Sequence, residues 1–125
     1  MEKIVPVLQI DDGAIAKQFY VDKLGFKLDF EWRHEPGFPV VMGIKSGELY
    51  LHLSEHGKGH PGTEIYIFID DITVWHRQCV SNDVAIENGP EQKPWGNTEM
   101  LIKDPHRNAL RFSQIGTHTP TAKSA

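Results

Sequence analysis

The sequence predicts an α+β fold of two tandem βαβββ modules, about residues 3–54 and 64–114, forming a curved mixed sheet around a groove. Three observations predict it. Two stretches with helical spacing of apolar residues, residues 14–24 and 72–81, are each preceded by one β-branched run and followed by shorter strand-like runs. A polar connection rich in Gly and Pro, EHGKGHPG at residues 55–62, separates the two sets. Each helix then covers one sheet face of its module, and the uncovered faces are expected to curve together around a shared groove. The whole chain, residues 1–125, reads as a single domain of common size.

In the first module, residues 3–10 (KIVPVLQI) are β-branched and predict a strand, at a sheet edge because Pro6 lacks an N–H. Asp12 is the expected N-cap of a helix over residues 14–24, with Ile15, Phe19, Tyr20 and Leu24 on its apolar stripe. Gly25 ends it, since glycine takes the left-handed position after a helix cheaply. Residues 26–32 (FKLDFEW) alternate, which predicts Phe26, Leu28, Phe30 and Trp32 on one face and Lys27, Asp29 and Glu31 on the other. A loop follows over residues 33–38, broken by Pro36 and Gly37, then strands over residues 39–44 and 48–54 around a turn at 45–47. In the last of these, Leu51 and Leu53 face the helix, and Tyr50, His52 and Ser54 face away from it.

The second module opens on a strand over residues 64–69, with Ile65, Ile67 and Ile69 on one face and Glu64, Tyr66 and Phe68 on the other. Asp70-Asp71 caps a helix over residues 72–81 whose buried stripe is Ile72, Trp75, Cys79 and His76, and Asn82-Asp83 ends it. Residues 84–86 predict a short strand and 87–93 a loop. The last hairpin joins strands over residues 98–103 and 109–113 through Asp104-Pro105-His106-Arg107-Asn108, because Asp bonds its own backbone and Pro presets φ. Leu110 and Phe112 share its apolar face, and Ala109, Arg111 and Ser113 the other. Residues 117–125 read as a small, polar, mobile tail.

Composition excludes several classes of function. The net charge is −4, from 13 basic and 17 acidic residues, with no basic stripe to hold nucleic acid. A single cysteine, Cys79, excludes an internal disulfide and a Cys-based zinc site, and its amphipathic setting reads as a buried structural thiol. No signal peptide and no apolar run near ~20 residues is visible, so no membrane partner is expected and a cytoplasmic protein is. Neither a G-x-S-x-G elbow, a P-loop nor a dinucleotide fingerprint occurs.

A series of short motifs runs in order over nearly the whole chain: Val5-Pro6-Val7-Leu8, Phe19-Tyr20 with Leu24-Gly25-Phe26, Leu51-His52-Leu53 and Phe68-Ile69-Asp70-Asp71-Ile72. It continues with Pro94-Trp95-Gly96, Asp104-Pro105 and Asn108-Ala109-Leu110-Arg111-Phe112. On these residues the chain resembles the vicinal oxygen chelate superfamily, which includes glyoxalase I, extradiol dioxygenases and bleomycin-resistance proteins. The PWG segment followed by that hairpin is similar to the bleomycin-resistance branch in particular. One departure is Arg107, where the family usually has Gly; if the position keeps a positive φ, Arg is strained there relative to Gly.

In metal-dependent members, His or Glu at inward positions of the first, fourth, fifth and eighth strands bind the metal. The resemblance puts Val5, His52, Glu64 and Arg111 at those positions. Only His52 and Glu64 could ligate, and an arginine beside a metal is repulsive, so the metal site reads as lost and no catalytic residue is assigned. His56 and His60 lie in the Gly/Pro-rich connection and read as solvated. Alternation points Val5, Val7, Gln9, Tyr50, His52, Ser54, Glu64, Tyr66, Phe68, Arg111 and Ser113 into the groove, an aromatic wall with a few polar groups. Trp32, Phe38 and Trp95 could stack on a planar ligand, and by the resemblance Phe38 and Trp95 line a crevice between two chains of a homodimer.

The candidate ligand-binding set is therefore Trp32, Phe38, Tyr50, His52, Glu64, Tyr66, Phe68, Trp95 and Arg111. The acidic groups Glu31, Glu35 and Glu55 favour a cationic ligand, while Arg111 favours an anionic one deeper in the groove. The leading expectation is a bleomycin-resistance-type protein that sequesters a small molecule, possesses no cofactor and acts without metal. The alternative is a metal-dependent lyase, isomerase or dioxygenase with rearranged ligands, holding a divalent metal on His52 and Glu64. A third is a partner-binding module with no small ligand.

Overall fold

A computed structural model describes residues 1–57 and 60–116. It contains two four-stranded mixed sheets, one per βαβββ module, ordered β1-β4-β3-β2 and β5-β8-β7-β6, in the expected α+β class. The strands are β1 (Val7–Gln9), β2 (Lys27–Trp32), β3 (Val41–Ser46), β4 (Leu49–Ser54), β5 (Glu64–Phe68), β6 (Ile86–Gln92), β7 (Thr98–Lys103) and β8 (Ala109–Gln114). Each module follows the same path: its first strand runs parallel to its last, and the two later pairs are antiparallel. The tail at 117–125 lies outside the described residues.

The helices form where their caps predict. Asp12 accepts hydrogen bonds from the N–H groups of Ala14 and Ile15, opening α1 (Gly13–Lys17), which continues as a π-helical turn over Gln18–Lys23. Gly25 follows with a φ of 86°. Ile15 is 47% exposed, against expectation, and Ala16 is buried in its place. Gly13 approaches Val40 so closely that an added Cβ would lie 2.7 Å from its side chain, which presents the Gly13 and Ala16 face to the sheet. Asp71 caps α2 (Ile72–Ser81), whose Ile72 and Cys79 are buried and whose Trp75 and His76 are half-buried.

Three strands depart from expectation for physical reasons. β1 is shorter than residues 3–10, because Pro6 offers no N–H to extend the ladder and contributes only its carbonyl, to His52 N–H at 2.9 Å. β2 carries an irregularity between Leu28 and Phe30, so the strict alternation breaks at Asp29. Leu28 pairs with the buried Ile44, whereas Phe30 pairs with Gly43 and Trp32 with Val41, on the opposite face. Residues 87–93, expected as a loop, belong mostly to β6, whose two register shifts accommodate Gly89 and a cis Pro90.

One continuous core joins the modules. Phe26 of the first packs 5.8 Å from Trp75 of the second, and Trp75 stacks on Phe112 at 4.9 Å. The β7–β8 turn locks onto the first module through buried polar groups. Asp104 Oδ1 accepts from the N–H groups of His106 and Asn108, and its Oδ2 accepts from the Tyr20 hydroxyl at 2.6 Å. Asn108 Nδ2 donates to the Gln9 carbonyl, and the Asp11 N–H donates to His106 Nδ1. Arg107 keeps a positive φ of 73° and forks onto Asp11 at 2.8 and 3.2 Å.

Candidate functional site

The helices leave one face of each sheet uncovered, and register decides what stands on it. On the first sheet, Val7, His52, Gly43 and Phe30 form one row across four strands. Phe30 meets the His52 ring edge-on at 5.3 Å, and Tyr50 lies 5.5 Å from His52. Gly43 makes this possible: a Cβ there would fall 2.3 Å from the Phe30 ring and 2.7 Å from the Tyr50 hydroxyl. The Tyr50 hydroxyl donates to Asp29 Oδ2 at 2.8 Å, which raises the tyrosine pKa and, with Lys45 3.3 Å away, lowers that of Asp29.

On the second sheet, Glu64, Tyr66 and Phe68 of β5 pair with Ala109, Arg111 and Ser113 of β8. Tyr66 and Phe68 stack at 5.3 Å, and both are about half exposed, at 46% and 55%. Arg111 donates through Nε and Nη2 to the Glu64 carboxylate at 3.1 and 3.4 Å, and this bonding raises its already high pKa. Beneath these residues lies Glu99 of β7, only 1% exposed. Its Oε2 accepts from the Tyr66 hydroxyl, from Trp95 Nε1 at 3.1 Å and from Ser113 Oγ at 3.1 Å. Its Oε1 lies 3.9 Å from Arg111 Nη1. A carboxylate withdrawn from water needs several such donors to stay there.

Glu99 is the residue that sequence reading missed. Strand alternation across residues 98–103 carried the signal, since Met100 and Ile102 are the core residues and Glu99 must point the other way. The expected residues fall into groups. Tyr50 and His52 share the first sheet, Glu64, Tyr66, Phe68 and Arg111 share the second, and Trp95 reaches the second from the β6–β7 turn through its bond to Glu99. Trp32 and Phe38 stand apart with His34 between them, at 6.3 and 5.4 Å ring to ring. An open cleft of about 480 Å³ spans the junction of the modules and brings Tyr50 together with Tyr66 and Phe68.

The acidic loop groups are largely engaged. Glu55 accepts from the Gly13 and Val40 N–H groups at 2.7 and 2.9 Å, tying α1 to the entry of β3, and Glu31 pairs with Lys17 at 2.6 Å. Arg111 is held by Glu64 and flanked by Glu99, so its charge no longer argues for an anionic ligand.

The donors present do not suit a divalent metal. His52 is surrounded by Phe30 and Tyr50, Glu64 is bonded to Arg111, and among the described residues no three His, Cys, Asp or Glu side chains gather as a shell.

Known proteins share this fold. A family model described as glyoxalase superfamily protein matches residues 1–117. A bleomycin-binding protein crystallised with bleomycin is 26% identical, with 91% of this chain and 98% of that one covered and a TM-score of 0.73. A bleomycin resistance determinant encoded on the transposon Tn5 is 25% identical over 92% and 98% of the two chains, with a TM-score of 0.75. A lactoylglutathione lyase from Agrobacterium tumefaciens shares the fold at 20% identity over 91% and 94%, with a TM-score of 0.69. No curated protein matches the chain.

Proposed function

The chain belongs to the glyoxalase superfamily, in its bleomycin-resistance-like branch, and we propose that it binds an aromatic small molecule of the bleomycin type and sequesters it unchanged in the cytoplasm. The observation that carries this reading is the set of exposed rings on the uncovered sheet faces and their loops. Trp32, Phe38, Tyr66, Phe68 and Trp95 are between 41% and 55% exposed, in the fold of a protein crystallised with bleomycin. Apolar groups in that number, beside a few fixed polar ones, make a stacking surface for a planar ligand. His52 serves as part of this wall through its rings, Glu64 holds Arg111, and Tyr50 offers a hydroxyl held protonated by Asp29.

Two chains complete the site. Phe38 belongs to the first module and Trp95 to the second, and each lines one side of a crevice between subunits of a homodimer. No metal takes part, since Arg111 occupies a position where a ligand would be needed and Glu64 is bonded to it.

Titration of the protein with metal-free bleomycin, followed by calorimetry, tests the reading. Changing Trp95 to Ala should weaken binding by about 2 kcal/mol, as expected for a buried aromatic anchor, with the thermal melt retained. An unchanged affinity would remove Trp95 from the site. Elemental analysis after incubation with Zn²⁺, Ni²⁺, Mn²⁺ and Fe²⁺ tests the metal-free part: stoichiometric metal that disappears in His52→Ala would restore the enzyme reading.

A further inference from the structure

Glu99 is a buried carboxylate with one oxygen fully engaged and the other open. Tyr66, Trp95 and Ser113 all donate to Oε2. Oε1 is buried and has no hydrogen-bond partner among the described residues. Arg111 is the neighbouring cation, but at 3.9 Å its Nη1 is beyond hydrogen-bond distance, and its Nε and Nη2 are bonded to Glu64. A carboxylate oxygen removed from water and left without a donor gains from any N–H that reaches it.

We propose that Glu99 Oε1 is the specificity-determining acceptor of the second sheet, receiving an N–H from a cationic head, amidinium or ammonium, carried on a planar aromatic ligand. This deepens the drug-binding reading and rests on it. The local charges point the same way: in this cluster two carboxylates, Glu64 and Glu99, face one guanidinium, Arg111, an excess that favours a positive group. The residues that shield the carboxylate are also those that can stack on the ligand. Trp95 and Tyr66 are 41% and 46% exposed, so the rings that bond Oε2 also present apolar area to a ligand beside the carboxylate. Ser113 is fully buried and opposite Glu99 in the ladder, so the carboxylate itself is fixed. An anionic or acceptor-only head is refused, because it would meet a carboxylate oxygen with no proton to share.

The test uses 2-naphthamidine and 2-naphthoate, which share a ring system and differ in the head. Binding is read from the indole N–H resonance of Trp95, assigned by its loss in Trp95→Phe. Wild-type protein should bind the amidine at least about tenfold tighter than the carboxylate. Glu99→Gln places an amide N–H where Oε1 stood and should abolish or reverse that preference. Equal binding of the two probes, or a preference that survives in Glu99→Gln, would overturn the assignment and leave Oε1 to an ordered water. Should Glu99→Gln fail to fold, the carboxyl carbon resonance of Glu99 in the wild type decides: it must move with naphthamidine and not with naphthoate, and no movement overturns the proposal. Bleomycin titration separates the two readings. Bleomycin binding without amidine preference sinks the role of Glu99 alone, and amidine preference without bleomycin binding sinks the drug reading alone.

Discussion

Arg107 stands in a left-handed conformation, with φ at 73°, that an L side chain rarely adopts. It is held there by its fork onto Asp11 and by Nε donating to the His60 carbonyl at 3.0 Å. Arg107→Gly would relieve the backbone and lose those surface contacts, two effects of opposite sign, so the melting temperature should stay within about 3 °C of wild type. The facing residue tells the other half. Gly62 has a φ of 88°, and a Cβ on it would lie 2.2 Å from the Arg107 carbonyl oxygen. Gly62→Ala should therefore destabilise by more than about 2 kcal/mol, measured by urea unfolding; a smaller loss would mean that the turn yields. Arg107 was legible in the sequence as a departure from a glycine pattern, and the structure decides the condition attached to it: the positive φ is kept. Gly62 was legible only as part of a polar connection rich in Gly and Pro, because the close approach that requires it comes from a residue 45 positions away in a different turn. Cys79 is fully buried, and desolvation pushes its thiol up to about 11. At pH 8 it should react with a disulfide reagent only as fast as the protein opens, and reaction at the rate of a free thiol would contradict its burial.

The β7–β8 turn is the element that fastens one module to the other, and its chemistry gives it a pH signature. Tyr20, fully buried in the π-helical turn, donates to Asp104, which also accepts from His106 and Asn108. Burial first, and then the Asp104 charge and hydrogen bond, raise the Tyr20 pKa well above its ordinary value. A raised folded-state pKa means that this contribution is complete below about pH 10 and is lost as pH rises further. Tyr20→Phe should lower stability by about 1 kcal/mol at pH 7 and flatten the fall in stability above pH 10, both read from denaturant curves across pH. An alkaline slope identical to wild type would place the sensitivity elsewhere. Caps and periodicity made α2 and its bounds readable, since Asp71 and the Ile72, Trp75 and Cys79 spacing depend only on neighbours in sequence. The irregularity in β2 and the bulged path of β6 were not readable: alternation continues through Asp29 in the sequence, and Gly89-Pro90 looks like any loop until pairing with β7 fixes it. The consequence reaches the site, because the shift in β2 is what turns Phe30 and Trp32 outward onto the uncovered face.

For the whole molecule, the decisive fact is that the two uncovered faces carry a large share of exposed apolar groups while the core between them is complete. Phe30, Trp32, Phe38, Tyr66, Phe68 and Trp95 are each at least 36% exposed, although Phe26, Trp75 and Phe112 close the interior behind them. Exposed apolar area of this kind marks an interface or a ligand surface. The fold class and the repeat of modules could be read from the chain, because helical spacing and strand alternation depend only on neighbours in sequence. The proposed site, made from a loop of the first module of one chain and a loop of the second module of its partner, makes a sharp prediction. Phe38→Ala damages only the first module's contribution, and Trp95→Ala only the second's. Each homodimer alone should bind bleomycin more weakly than wild type, by about 2 kcal/mol. When the two variants are unfolded together and refolded, half of the dimers are mixed, and each mixed dimer pairs one doubly damaged site with one intact site. About a quarter of all sites should then bind with wild-type affinity. If each site were built within a single chain, every site would keep one damaged residue and no tight binding would return on mixing. Sedimentation of the refolded protein, run alongside, must show a dimer, since a monomer that binds bleomycin would exclude the shared crevice outright.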